Sequence, residues 1–181
     1  MILIIGKSDL SKSLIDKLED VTVVGRPEYN FSLKEDCDRL VNMYNPDIII
    51  NTLGSLNNEI WNSLTVNFVT GVYLTLSFYN KLSKAHIINI SSASTFWVSY
   101  PGISDERLIY NLAKESLSNF NRHFNRKIID ENKKDVLIST IEPGAFPSKM
   151  NGHSGSIEIE KIAALVKNTI ENPVQHVSMI K

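Results

Sequence analysis

Several things are scarce in this chain, and each scarcity excludes something. Cys37 is the only cysteine among 181 residues, so an intrachain disulfide is impossible. Neither sign of charge dominates: 19 basic and 20 acidic residues leave a net charge of −1. That balance gives no electrostatic footprint for nucleic acid or an anionic membrane. No apolar run approaches the ~18 residues of a membrane span. The opening Met1-Ile-Leu-Ile-Ile-Gly6 is too short for a signal peptide and passes straight into a strand pattern. The four histidines, His86, His123, His153 and His176, have no metal-ligand spacing, so no metal site is expected. Internal repeats, low-complexity segments and Pro/Gly-rich linkers are also missing. Residues 1–181 therefore read as one domain, and a reducing cytoplasm as its expected location.

What is present is an alternation of short apolar runs with longer amphipathic stretches. Strands are expected at 2–5, 21–24, 47–51, 87–90, 136–141 and 174–180, and helices at 10–18, 33–44, 61–82, 106–124 and 159–170. Strands alternating with helices make βαβ units and a parallel sheet. The runs Ile2–Ile5 and Ile48–Ile50 are apolar at every position, as a sheet covered on both faces requires. The expected fold class is a doubly wound, Rossmann-like α/β sandwich of three layers. In such sheets ligands bind beyond the carboxyl ends of the strands.

The polar candidates fall at those ends. Of the six tyrosines, only Tyr110 has a lysine four residues on, Lys114, on the same face of the expected helix. A free phenol titrates near ~10. An adjacent ammonium is expected to lower that value toward the range of a useful proton donor or acceptor. After the first strand comes Gly6-Lys7-Ser8-Asp9-Leu10-Ser11, which keeps the first glycine of the dinucleotide fingerprint and has serines at the other two places. The segment reads either as a phosphate turn or as a plain helix cap by Ser8 or Asp9. Arg26 lies twenty residues after Gly6, where an acid would read the ribose 2′-hydroxyl of NAD and an arginine accommodates the 2′-phosphate of NADP. Glu28 is the nearby acid that could oppose it.

With these residues in place the chain resembles the short-chain dehydrogenase/reductase family. Asn51-Thr52-Leu53-Gly54 is similar to the family's N-N-A-G, Val66-Asn67-Phe68 to its V-N-L and Asn89-Ile90-Ser91-Ser92 to its N-I-S-S. Tyr110 and Lys114 fit Y-x-x-x-K, and Pro143-Gly144 through Ser148 fits P-G-x-x-x-T with serine for threonine. The motifs run in order through nearly the whole sequence. The chain departs from the pattern in its two fingerprint serines. It also has a short stretch between Gly25 and Leu33 with room for only a token third strand, and a brief segment at 151–156 in place of a substrate lid.

The resemblance implies hydride transfer between a nicotinamide cofactor and a carbonyl or alcohol carbon. Tyr110 would give or take the proton, Ser92 would hydrogen-bond the same oxygen, Lys114 would lower the Tyr110 pKa, and Asn67 would keep a water in a proton relay. Ser91 or Ser94 could instead take the serine role. Gly6, Ser8, Leu10, Ser11, Arg26, Asn51, Gly54, Ile90, Tyr110, Lys114, Pro143, Gly144 and Ser148 would hold the cofactor, with NADP(H) expected in preference to NAD(H). Phe96, Trp97, Tyr100 and Phe146 either line a substrate pocket, or cover the sheet end or form a subunit contact. The expected partner is a small carbonyl or alcohol substrate, and the long helices beginning near Trp61 and Glu106 imply a homodimer or homotetramer. A competing expectation is a nucleotide-binding protein of this fold with weak or absent catalysis and a sensory or assembly role.

Overall fold

The computed structural model describes residues 1–57, 59–93, 103–131 and 135–179. Six parallel strands form one sheet in the order β2-β1-β3-β4-β5-β6. They are β1 (Ile2–Ile5), β2 (Val21–Val24), β3 (Ile48–Asn51), β4 (Lys84–Ile90), β5 (Asp135–Pro143) and β6 (His176–Met179). The helices are α1 (Asp9–Ile15), α2 (Lys34–Met43), α3 (Ile60–Leu64), α4 (Thr70–Lys81), α5 (Asp105–Glu131) and α6 (Ile159–Glu171).

Period-two alternation along apolar strands splits the core into two layers. Leu3, Ile5, Ile49 and Ile87 face one way, where Leu40 of α2, Leu74 and Phe78 of α4, and Phe124 and Ile128 of α5 cover them. Ile4, Ile50 and Ile88 face the other way, against Leu10 and Leu14 of α1 and Ile162 and Val166 of α6. The sheet therefore lies between two helical layers, and its chain reversal falls between β1 and β3, the place where a crevice opens in such folds.

The helix expected over 61–82 is not continuous. A π-helical turn, Thr65–Val69, separates α3 from α4. Asn67 sits in that turn, fully buried, and its carboxamide binds Ser63 one turn back and Ser55 in the preceding loop. A local π turn re-aims the chain, and here it brings the loop after β3 under the helix. The stretch between Gly25 and Leu33 forms no strand. It is closed instead by stacked Tyr29 and Phe31, whose ring centroids lie 5.8 Å apart. The Thr70 hydroxyl donates to the Phe31 carbonyl at 2.6 Å and ties that stretch to α4.

A chain of buried amides crosses the sheet. Asn51 donates to Asn89 at 2.9 Å, Asn89 donates to Thr75 and to Asn121 at 3.1 Å each, and Asn121 donates to Thr140 at 3.0 Å. Among the described residues no buried side-chain nitrogen or oxygen lacks a partner. A fully satisfied network of this kind fixes β3, β4, β5, α4 and α5 in one arrangement.

Candidate active site

Three clefts that share residues run along the carboxyl ends of the strands. The middle one is lined by Lys7, Ser8, Asp9, Leu10, Thr52, Leu53, Gly54, Ile90, Tyr110, Lys114, Phe146 and Ser148 among others. On the β2 side it joins a second cleft containing Gly6, Gly25, Arg26, Phe31 and Ser32. On the β5 side it joins a third, containing Leu56, Ser92, Arg107, Tyr110, Asn111, Pro143, Gly144 and Phe146. Tyr110 stands at the junction of the middle and third clefts.

The catalytic candidates come together here. Lys114 is 2% exposed, and its ammonium donates to the carbonyls of Leu53 at 2.7 Å and Ile90 at 2.9 Å. It lies 6.0 Å from the centroid of the Tyr110 ring, as the four-residue spacing requires. Ser92 hydrogen-bonds the Tyr110 hydroxyl. Ser91 is not available for that contact. It also lines the clefts but is buried, donates to the Lys114 carbonyl at 2.9 Å and accepts from Ser118 at 2.8 Å. Ser94, Phe96, Trp97 and Tyr100 lie outside the described residues.

The electrostatics differ from the sequence expectation. Burial pushes the Tyr110 phenol up to about 12, and the Ser92 hydrogen bond and the Arg107 charge only partly oppose it. Burial likewise pushes Lys114 down to about 7. Burial of the phenol sets this direction, and the Lys114 ammonium is aimed at two backbone carbonyls. The carbonyl of Leu53 is itself placed by Asn51, whose side-chain oxygen accepts from the Leu53 amide at 3.0 Å.

Asn51 is 4% exposed and lines none of the three clefts; it shapes the turn behind the groove. Asn67 also stays outside the clefts, and its whole carboxamide is used in holding Ser55 and Ser63. It clamps the loop after β3 to the helix. Pro143 and Gly144 line the third cleft and not the middle one.

At the other end Gly6 has φ +111, and a Cβ there would lie 2.7 Å from the Thr52 hydroxyl oxygen, so only glycine makes this turn. Ser8 and Ser11 bind each other. The Ser11 amide donates to the Ser8 hydroxyl at 3.1 Å, and the Ser8 amide donates to the Ser11 hydroxyl at 2.7 Å. This is a reciprocal capping box, one of the two readings the sequence left open. Asp9 accepts from the Lys149 amide at 2.9 Å, a contact that lowers its pKa and keeps it ionised. It ties the loop after β5 to α1. Arg26 is exposed on the rim of the second cleft and donates to Asn30 at 3.4 Å. Glu28 does not oppose it, because its carboxylate is engaged by Lys7 at 2.6 and 2.7 Å.

Sequence reasoning passed over Lys7, Lys12 and Lys149, which with Asp9 put charge along the middle cleft, and Arg107 in the third. Arg107 could have been found: it precedes Tyr110 by three residues, so a helix sets both on one face. Lys149 could not, since only the folded loop brings it to α1.

No family model matches the sequence, and a search of curated proteins finds no match. Solved structures do match. A short-chain dehydrogenase from Burkholderia cenocepacia J2315 in complex with NADP superposes with a TM-score of 0.83 at 14% identity, covering 99% of this chain and 88% of that one. One from Sphingobium yanoikuyae in complex with NADPH gives 0.80 at 14% identity, covering 98% and 86%. A short-chain dehydrogenase/reductase from Vibrio parahaemolyticus gives 0.80 at 13% identity, covering 99% and 98%. With its six parallel strands, its two helical layers and its crevice beyond the strand ends, the chain has the fold of the short-chain dehydrogenases/reductases.

Proposed function

We propose that the chain is an NADP(H)-dependent oxidoreductase that interconverts a small carbonyl compound and its alcohol. The observation that carries this reading is the set of Ser92, Tyr110 and Lys114, gathered where the middle cleft meets the third. A protein that only held a nucleotide would have no use for a phenol, a hydroxyl and a buried ammonium at one point.

The residues present suit a dinucleotide at both ends of the groove. Gly6 and Gly25 leave space no side chain could share, and an added Cβ at Gly25 would lie 2.8 Å from the Lys7 side chain. Arg26 stands where a 2′-phosphate would be read, and Lys7, engaged with Glu28, is a second cation beside it. Ile90, Gly54, Lys114 and Ser148 would border the nicotinamide half. When bound, the nicotinamide supplies or accepts the hydride.

The protein handles the proton. With its pKa held near 12, Tyr110 carries its proton at neutral pH, which suits it to donate to a carbonyl oxygen in reduction. Ser92, bound to the same hydroxyl, offers a second hydrogen bond to that oxygen as charge develops on it. Lys114, titrating near 7, stands next to the phenol and can be charged or neutral in the working range. The exposed Trp61 of α3 and Leu112 of α5, at 78% and 46% exposure on two helices that pack together, support assembly as a dimer.

The competing reading, a nucleotide-binding protein without efficient turnover, is favoured by the capping box and Asp9 in the phosphate turn. Titration with NADPH and NADH, followed by a screen of carbonyl compounds with wild type and Tyr110→Phe, separates the two. The oxidoreductase reading expects tight NADPH and weak NADH binding, turnover in wild type and its loss in Tyr110→Phe with NADPH affinity unchanged. Binding without turnover of any carbonyl compound would favour the second reading, and binding of neither nucleotide would sink both.

A further inference from the structure

The third cleft mixes apolar residues, Leu56, Pro143, Ala145, Phe146 and Met150, with hydroxyls and an amide from Ser91, Ser92, Ser148 and Asn151. To these α5 adds Arg107, Tyr110 and Asn111, spaced i, i+3 and i+4 and therefore on one face of the helix. No aspartate or glutamate lines this cleft, and Arg107 forms no ion pair among the described residues. Its position is also a poor one for helix stability. Arg107 lies in the first turn of α5, where the helix dipole favours acids such as the neighbouring Asp105 and Glu106 and disfavours a cation. Helix formation therefore does not account for an arginine here, and the cleft gives it a use.

We infer that Arg107 selects a carboxylate-bearing substrate, so that the carbonyl compound reduced at Tyr110 is a small oxo acid and the product the matching hydroxy acid. This rests on the oxidoreductase reading and adds the substrate class to it. Three residues of helix rise by ~4.5 Å, so a guanidinium and a phenol on one face can hold two groups only a few bonds apart. Tyr110 and Ser92 take the carbonyl oxygen. Arg107 takes the carboxylate, which a planar guanidinium can bind through two parallel hydrogen bonds. Leu56, Phe146 and Met150 cover the short carbon chain, and among the described residues no lining acid opposes the anion.

The test compares 2-oxobutanoate and 3-oxobutanoate with their methyl esters, using wild type, Arg107→Gln and Arg107→Lys. A charge-assisted hydrogen bond is worth about tenfold or more in affinity. Wild type should prefer an acid to its ester by about that factor in kcat/KM, and Arg107→Gln should lose the preference through a raised KM for the acid. Arg107→Lys should restore part of it. The heat of binding of the acid to the protein without nucleotide gives a readout apart from turnover, and it should weaken in Arg107→Gln to a similar extent. Equal use of acid and ester, or an Arg107→Gln variant as selective as wild type, overturns the inference and leaves the oxidoreductase reading standing. Equal losses on acid and ester would mean that Arg107 only supports the helix, and would also overturn it. No turnover of acid or ester beside intact NADPH binding, with no heat from the acid, counts against both.

Discussion

The two ends of the groove solve opposite problems. At the α5 end, Ser92, Tyr110 and Lys114 converge on one point, and their supports are backbone carbonyls and a buried amide network lying behind the groove. At the α1 end, the side chains that replace fingerprint glycines turn on one another: Ser8 and Ser11 complete a capping box, and Asp9 holds the loop after β5. One end keeps its polar groups for a ligand, and the other uses them to close its own structure. Proton chemistry depends on which side chains are present. A phosphate cradle depends on side chains being absent, so it can be filled in without disturbing the strands on either side.

The largest effect should come from the α5 end. Lys114→Met removes the ammonium and should lower turnover by about hundredfold or more, given what proton-handling groups contribute. Its effect on stability depends on pH. The folded pKa of Lys114, about 7, lies below the ordinary lysine value of 10.5, so between these values the unfolded chain binds more protons and stability rises with pH. Below pH 7 the burden of burying the charge is fully present, and it is relieved as pH climbs toward 10.5. Thermal melts should therefore show Lys114→Met gaining most over wild type below pH 7, with the gap narrowing in alkali. A gap that widens in alkali would mean that the two carbonyls hold the ammonium charged, with its pKa above the ordinary lysine value.

Asp9 offers the next test, at the α1 end. Asp9→Asn keeps an oxygen to accept from the Lys149 amide but removes a negative charge from the middle cleft. With the loop unchanged and one repulsion gone, NADPH should bind about fivefold more tightly at low salt, and the gain should shrink as salt screens it. Asp9→Ala, which also frees the loop, separates charge from tether. Unchanged affinity in Asp9→Asn would show that the phosphates pass clear of this residue.

The sequence was most legible where apolar runs and fixed spacings speak for themselves. β1, β2 and α2 fall where periodicity set them within one residue, and the Tyr110–Lys114 pair lies on one helix face as its spacing demanded. What could not be read depended on long-range contact. The π turn at Thr65–Val69 exists because Asn67 reaches Ser55 twelve residues back, and periodicity carries no trace of that. The raised Tyr110 pKa has the same origin: spacing gives the neighbour, but burial, opposed by Ser92 and Arg107, sets the balance. That Asn51 and Asn67 lie behind the groove was not legible either, because asparagines beside a groove and asparagines behind it look alike in one dimension.

The smallest effect is the most informative about the comparison itself. Ser11→Ala breaks half of the capping box. The Ser8 amide loses the hydroxyl that accepts from it at 2.7 Å, while the Ser8 hydroxyl still accepts from the amide of residue 11. Loss of a capping interaction costs about 1 kcal/mol, which for a chain of this size lowers the melting temperature by ~2–4 °C. The freed Ser8 amide then points into the turn as a donor, and NADPH affinity should rise about twofold if the hydroxyls compete with phosphate for backbone amides. A fall in affinity would reverse the comparison. It would mean that the capping box holds the turn in its binding shape, so that both ends of the groove spend their internal hydrogen bonds on preparing for a ligand, and that serine here does by bonding what glycine does by leaving room.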